Sequence, residues 1–110
     1  MDQVEQKERP LQLGLAGLGT VGTGVYETLQ RNHDILEARA KIPFSVKKVA
    51  VRDLDKPREV EIPSGHLTDN WRDLVQDPDI DIIIELIGGT KDAYDLIVSS
   101  LKAGKPVVTG

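Results

Sequence analysis

The stretch Leu11-Gln-Leu-Gly-Leu-Ala-Gly-Leu-Gly-Thr-Val-Gly22 constrains this chain more than any other part of it. A short apolar run passes directly into Gly17-Leu18-Gly19-Thr20-Val21-Gly22, and a helical repeat begins at once. Strand, glycine turn and helix in that order force the backbone to reverse within a few residues. In this setting the spacing G-x-G-x-x-G marks a dinucleotide-binding turn. Gly17 permits the tight turn, Gly19 lets backbone approach a pyrophosphate, and Gly22 lets the helix pack close to the strand. The first N–H groups of the helix have no intrahelical partner, so they and the positive end of the helix dipole face the phosphate charge. Gly14 lies inside the strand, and Thr20 falls where a helix N-cap is wanted.

The pattern that follows is an alternation of strands and helices. The first strand, Leu11 to Ala16, leads into a helix with Val21, Val25, Thr28 and Leu29 at one-face spacing. That helix closes at Asn32-His33-Asp34 or runs on towards Ala40, and Pro43 ends it in any case. Phe44 to Val51 reads as a second strand, with Val46, Val49 and Val51 as its apolar members. The charged segment 52–58, broken by Pro57, is a loop at that strand's carboxyl end, and 59–68 is ambiguous. Asp69 is placed to cap a short helix holding Trp71, Leu74 and Val75, and Asp77-Pro78-Asp79 is a turn. Ile80 to Ile87 is almost continuously apolar, as a parallel strand covered on both faces should be. A last helix spans about Lys91 to Ala103, with Ala93, Ile97, Leu101, Tyr94 and Val98 as inward candidates. Gly104 caps it, and a fourth strand begins at Pro106-Val107-Val108.

Such an alternation calls for an α/β fold: a Rossmann-type, doubly wound parallel sheet in three layers, with strand order 3-2-1-4. Ligands of these sheets bind at the carboxyl ends of the strands, where the order reverses. The Gly17 turn, the Arg52 loop, the Gly88-Gly89 turn and Thr109 all fall on that edge.

Composition removes several function classes. The 110 residues carry a net charge of −4, which gives no reason to expect nucleic acid as a partner. No apolar run approaches the roughly 20 residues needed to cross a bilayer. Residues 1–10 are polar and of mixed charge, a flexible tail rather than a secretion signal, and 11–110 form the single domain. Cysteine is absent, which excludes disulfides and thiolate metal sites and is compatible with the cytoplasm, the expected location. His33 and His66 have no second ligand at metal spacing, so no metal site is expected. Ser99 and Ser100 lack a His and acid constellation, and Trp71, Tyr26 and Tyr94 read as packing residues.

Taken together, these residues resemble homoserine dehydrogenase, specifically its N-terminal NAD(P)-binding domain. The likeness is carried by Gly17-Leu-Gly-Thr-Val-Gly22, Val51-Arg-Asp, Lys56-Pro-Arg, Asp77-Pro-Asp-Ile-Asp, Glu85-Leu-Ile-Gly-Gly and Gly104-Lys-Pro-Val-Val-Thr109. It runs from Leu11 onward in the family's order. The resemblance implies NAD(P)-dependent interconversion of L-homoserine and L-aspartate 4-semialdehyde, on the way to threonine and methionine. The family normally continues from Val-Val-Thr into Ala-Asn-Lys, whose lysine lies in the active site; here Gly110 stands in place of the alanine. That lysine and the catalytic residues of the substrate domain lie beyond Gly110, so no catalytic residue is assigned. The domain is expected to be incomplete at its C-terminal end and to bind cofactor without turnover, since hydride transfer needs both reactants held in contact. The amino-acid substrate would belong to the full-length enzyme only.

The expected cofactor-binding residues are Gly17, Leu18, Gly19, Thr20, Val21, Gly22, Arg52, Gly88, Gly89, Thr90 and Thr109. Arg52 stands where an NAD enzyme usually has an acid gripping the ribose 2′-OH, so NADP is favoured, with NAD tolerated. Asp53, next to it, could instead serve a ribose hydroxyl. Lys56 and Arg58 add positive potential or are simply solvated. By resemblance, Gly88, Gly89 and Thr90 border the nicotinamide ribose. Glu85, between apolar neighbours, is read as tying nearby backbone N–H groups or a loop near the cofactor, not as a catalytic base. Two other functions fit parts of the pattern. A stand-alone NAD(P)-sensing module would keep the glycine turn without needing Glu-Leu-Ile-Gly-Gly or Lys-Pro-Arg. A different amino-acid or sugar-acid dehydrogenase would share this first domain. An open fourth strand also predicts self-association through the exposed sheet edge.

Overall fold

The computed structural model describes residues 10–63, 65–88 and 91–110. Its elements are β1 (Leu11–Ala16), α1 (Thr20–Arg31), α2 (His33–Ala40), β2 (Phe44–Ala50), β3 (Leu67–Thr68), α3 (Arg72–Gln76), β4 (Ile82–Glu85), α4 (Lys91–Lys102) and β5 (Val107–Thr109). Every strand pair is parallel, and the sheet order is β3-β2-β1-β4-β5. The expected order 3-2-1-4 is therefore present, but its membership shifts by one strand: the Ile80 run, expected beside the second strand, pairs with β1 instead, and the Val107 strand, expected fourth, is fifth. Third place belongs to the two-residue Leu67–Thr68, inside the segment whose sequence pattern is ambiguous, and the Ile80 run supplies the fourth strand. No helix among the described residues is long and apolar enough to cross a membrane.

Two apolar clusters, one on each face, make the three layers. Leu15, Val49 and Val51 meet Tyr26 of α1 on one side. Ala16, Ala50 and Ile83 meet Leu74 of α3, Ile80 and Leu96 of α4 on the other. On that second face the core-facing residues of β1 are the small Gly14 and Ala16, and this sets how near the helices come. A Cβ on Gly14 would lie 3.1 and 3.2 Å from two carbons of Ile80. The five residues of α3 are too few to form a helix alone; fully buried Leu74, at roughly 2 kcal/mol, holds it against the sheet.

The β1–β2 register shifts between Leu13 and Gly14, so Lys47 has no partner on β1. This bulge explains a spacing that plain alternation cannot. Val46 and Val49 are an odd number of residues apart yet both pack on the α1 face, because the extra residue between them resets the pleat.

Both long helices are rotated from the expected faces. In α1 the buried residues are Gly22 and Tyr26, while Val21 is 63% exposed and Thr28 faces solvent. Glycine at 22 allows the closest approach and so pulls its own side of the helix inward. In α4, Leu96 and Ser100 are buried, and Tyr94 and Leu101 are exposed. Ser100 tolerates the core because its hydroxyl donates to the Leu96 carbonyl at 2.8 Å. The first helix both ends and resumes at Asn32, and α2 closes on Lys41 in the left-handed region (φ 61°) before Pro43. The short helix α3 begins at Arg72 with Trp71 in the cap position, and the side-chain oxygen of Asn70 accepts the Arg72 N–H at 3.1 Å; the cap expected at Asp69 is not used.

Candidate functional site

Strand β1 ends in a turn pinned on both sides. The Gly17 N–H donates to the Ala50 carbonyl of β2, and the Leu86 N–H donates to the Ala16 carbonyl, each at 2.8 Å. Between these anchors Gly17 adopts φ 105°, and a Cβ there would sit 2.7 Å from the Leu86 carbonyl oxygen. Gly22 is held tighter still: its Cβ would lie 2.2 Å from the Gly17 oxygen. Gly19 differs from both. A Cβ at this position would meet nothing within 4 Å, so the protein leaves that side of the turn open.

Helix α1 starts one residue earlier than expected. Gly19 is the N-cap and Thr20 the first helical residue, so Thr20 does not cap. Among the described residues no side chain hydrogen-bonds to the helix start, and the first turn contains no acid. Instead the Thr23 hydroxyl donates back to the Leu18 carbonyl at 3.1 Å and braces the turn. The N–H groups at the positive end of this twelve-residue helix are thus left without a side-chain acceptor among the described residues.

At the end of β2, Arg52 is exposed and reaches across the carboxyl end of β1. One of its Nη atoms donates to the Gly88 carbonyl at 3.3 Å. Asp53 accepts the Asp55 N–H at 2.9 Å and shapes the loop. Arg58 turns inward onto loop carbonyls and is not simply solvated.

At the end of β4, Glu85 is 5% exposed and accepts the Ile87 N–H at 2.8 Å. The expected backbone tie is therefore in place, and it fixes the path of the chain towards Gly88. Gly89 and Thr90 lie outside the described residues. Thr109 pairs with Glu85 across β4–β5, is exposed, and is not among the residues that line the cleft described next.

The three loops enclose a cleft of about 1080 Å³. Of the expected residues, Gly17, Leu18, Gly19, Thr20, Arg52 and Gly88 line it. Gly22 supports the turn from behind, and Val21 points to solvent. The cleft also draws on residues that sequence reasoning did not place there, among them Leu86, Ile87, Asp69 and Trp71. Trp71 packs on the core as expected, and the Arg72 guanidinium covers its ring at 4.4 Å. Recognising β3 in the sequence would have brought Asp69 and Trp71 to the ligand edge. A pair of residues, Leu67 and Thr68, is too short for any periodicity signal.

Comparison with known proteins follows the same lines. Residues 17–110 match the family model described as homoserine dehydrogenase, NAD-binding domain. The chain is 43% identical over 101 residues to homoserine dehydrogenase of Bacillus subtilis (strain 168), covering 92% of this chain and 23% of that protein. The crystal structure of a homoserine dehydrogenase from Thiobacillus denitrificans superposes with a TM-score of 0.81 at 44% identity, over 92% of this chain and 23% of that one. That of S. aureus homoserine dehydrogenase at pH 6.5 gives 0.84 at 33% identity, over 93% and 26%. The chain spans about a quarter of the length of these relatives.

Proposed function

The chain belongs to the homoserine dehydrogenase family as an NAD(P)-binding domain, and from that premise we propose that it holds the dinucleotide with its pyrophosphate on the turn Gly17–Gly22 and prefers NADP to NAD. The observation that carries this reading is the uncapped start of α1 beside the open side of Gly19. Those amides and the helix dipole suit a diphosphate, and the absent Cβ at Gly19 leaves room for it. Arg52 is the cation placed for a 2′-phosphate, where bidentate hydrogen bonding favours a guanidinium. To engage it, Arg52 would release a single 3.3 Å bond at an exposed site, a small cost. Gly88, with Gly89, Thr90 and Thr109, is assigned to the nicotinamide side. The bound nicotinamide supplies the hydride chemistry; this chain's own residues bind and orient it.

In the whole protein the reaction would be the interconversion of L-homoserine and L-aspartate 4-semialdehyde, completed by substrate-binding residues outside this sequence. On this reading the chain alone binds cofactor weakly and does not turn over. Calorimetric titration with NADP, NAD and adenosine 2′,5′-bisphosphate tests it. Dissociation constants of about 10 μM to 1 mM are expected, or about 4 to 7 kcal/mol. Nanomolar NADP binding would contradict a half-built site, and a strong preference for NAD would overturn the role of Arg52.

A further inference from the structure

We propose that Arg58 is a positioning residue: its guanidinium holds the 53–58 loop in one shape and so presents Lys56, the other cation of that loop, to the 2′-phosphate end of the cleft. The inference rests on the dinucleotide reading above and deepens it.

Three main-chain carbonyls converge on this one side chain. Nη1 of Arg58 donates to the carbonyls of Lys56 at 2.9 Å and Leu54 at 3.3 Å, and Nη2 donates to the carbonyl of Asp53. Without them the loop's bonds among the described residues reduce to the Asp53–Asp55 turn and a long 3.4 Å backbone bond from Lys56 to Asp53. A planar guanidinium with donors fixed in a fork suits such a ring of oxygens; an ammonium, a point donor on a flexible stem, cannot span it. Pro57 adds stiffness between the two cations, since its ring fixes one backbone angle.

The consequence is a division of labour inside Lys56-Pro57-Arg58. The charge of Arg58 is answered by carbonyl dipoles of its own loop. Both cations line the cleft, but Arg58 is engaged by its three carbonyls, whereas Lys56 makes no ion pair among the described residues, so its charge is available to a ligand. Removing Arg58 should therefore cost the ligand the help of Lys56, even though Arg58 itself gives the phosphate little.

The test compares adenosine 2′,5′-bisphosphate with adenosine 5′-monophosphate as calorimetric probes of this chain, so that the ratio of Kd values reads the 2′-phosphate alone. Arg58→Lys keeps the charge and loses the fork; Arg58→Met loses both; Lys56→Met removes the presented cation. We expect all three to lower the ratio by about fivefold, with the double variant of Arg58→Met and Lys56→Met no worse than Lys56→Met alone. An Arg58→Lys protein with the wild-type ratio would mean that charge alone matters, and the inference would fall. So would additive losses in the double variant, or an equal loss of affinity for both nucleotides. If the wild-type chain binds both probes but with a ratio near one, NADP preference itself fails, and this inference with it; the Arg58 variants alone decide the narrower point.

Discussion

The two ends of the parallel sheet use their polar groups in opposite ways. At the amino end, side chains satisfy one another. Lys47, displaced by the bulge in β2, reaches Asp77 at 2.7 Å and Asp79 at 3.4 Å, and Lys48 joins Asp77 at 3.4 Å. Asp81 accepts the Gln12 N–H at 2.8 Å. His33 faces the Phe44 carbonyl at 2.8 Å and Glu37 at 3.0 Å, and Glu37 in turn accepts the Phe44 N–H at 2.8 Å. At the carboxyl end, the α1 start has no side-chain cap, Gly19 faces open space, and Arg52 is held by one long bond. The contrast separates scaffold from site. One end closes its hydrogen bonds to fix the fold, and at the other the helix-start amides, which no described side chain accepts, are the donors that the proposed dinucleotide would complete.

The strongest way to break this contrast is a pair of glycine substitutions three residues apart. Gly22→Ala forces a Cβ to 2.2 Å from the Gly17 oxygen; it should lose about 3 kcal/mol or more of stability, and binding with it. Gly19→Ala meets no protein atom within 4 Å. It should change stability by less than about 0.5 kcal/mol while weakening dinucleotide binding about tenfold or more. Urea unfolding and calorimetry on both variants check this, and a Gly19→Ala protein that binds normally would break the comparison.

Next comes Asp77. Burial pushes its carboxyl upward, but the bonds from Lys47, the Asp79 N–H and Lys48 outweigh burial and hold it at about 2, against an ordinary 3.8. A depressed value stabilises the fold above pH 4, and that stability is lost as pH falls towards 2. At about 1.4 kcal/mol per pH unit, with solvent screening at Lys47, the contribution is roughly 1–2 kcal/mol. Asp77→Asn should lose that amount at pH 7, flatten the acid limb of unfolding below pH 4, and leave nucleotide affinity unchanged. An affinity loss like that of Gly19→Ala would blur the two ends.

The smallest effect belongs to His33. The Phe44 carbonyl, then Asp34 and Glu37, raise its pKa above 6.5 against the opposing effect of desolvation. The stabilisation is therefore complete below pH 6.5 and fades as pH rises through the folded value. His33→Gln should remove that slope from melting temperatures between pH 6 and 8 without touching cofactor affinity. A persisting slope would assign it to another group.

How much of this was legible in the residues themselves depends on range. The glycine turn was readable because each glycine answers a local steric demand, and the structure places a backbone oxygen where the Cβ of residue 17 or 22 would go. The buried tie from Glu85 was readable for the same kind of reason: a carboxylate between apolar neighbours needs a donor at hand. The inward faces of α1 and α4 were not, since several rotations of each helix bury similar apolar surface and contact with the sheet selects among them. Arg58 was misleading for a related reason. A charge in a polar loop looks solvated until the loop's own carbonyls are seen to surround it.

The sequence by itself determined the alternation of strands and helices, the position of the turn and the edge of the sheet at which a ligand would sit, because periodicity, glycine and proline act within a few residues. Tertiary structure alone decided the membership of β3, the bulge that brings Lys47 to Asp77, and the meeting of Trp71, Arg52 and Gly88 around one cleft. Those outcomes depend on how segments tens of residues apart pack together. No local pattern encodes that distance.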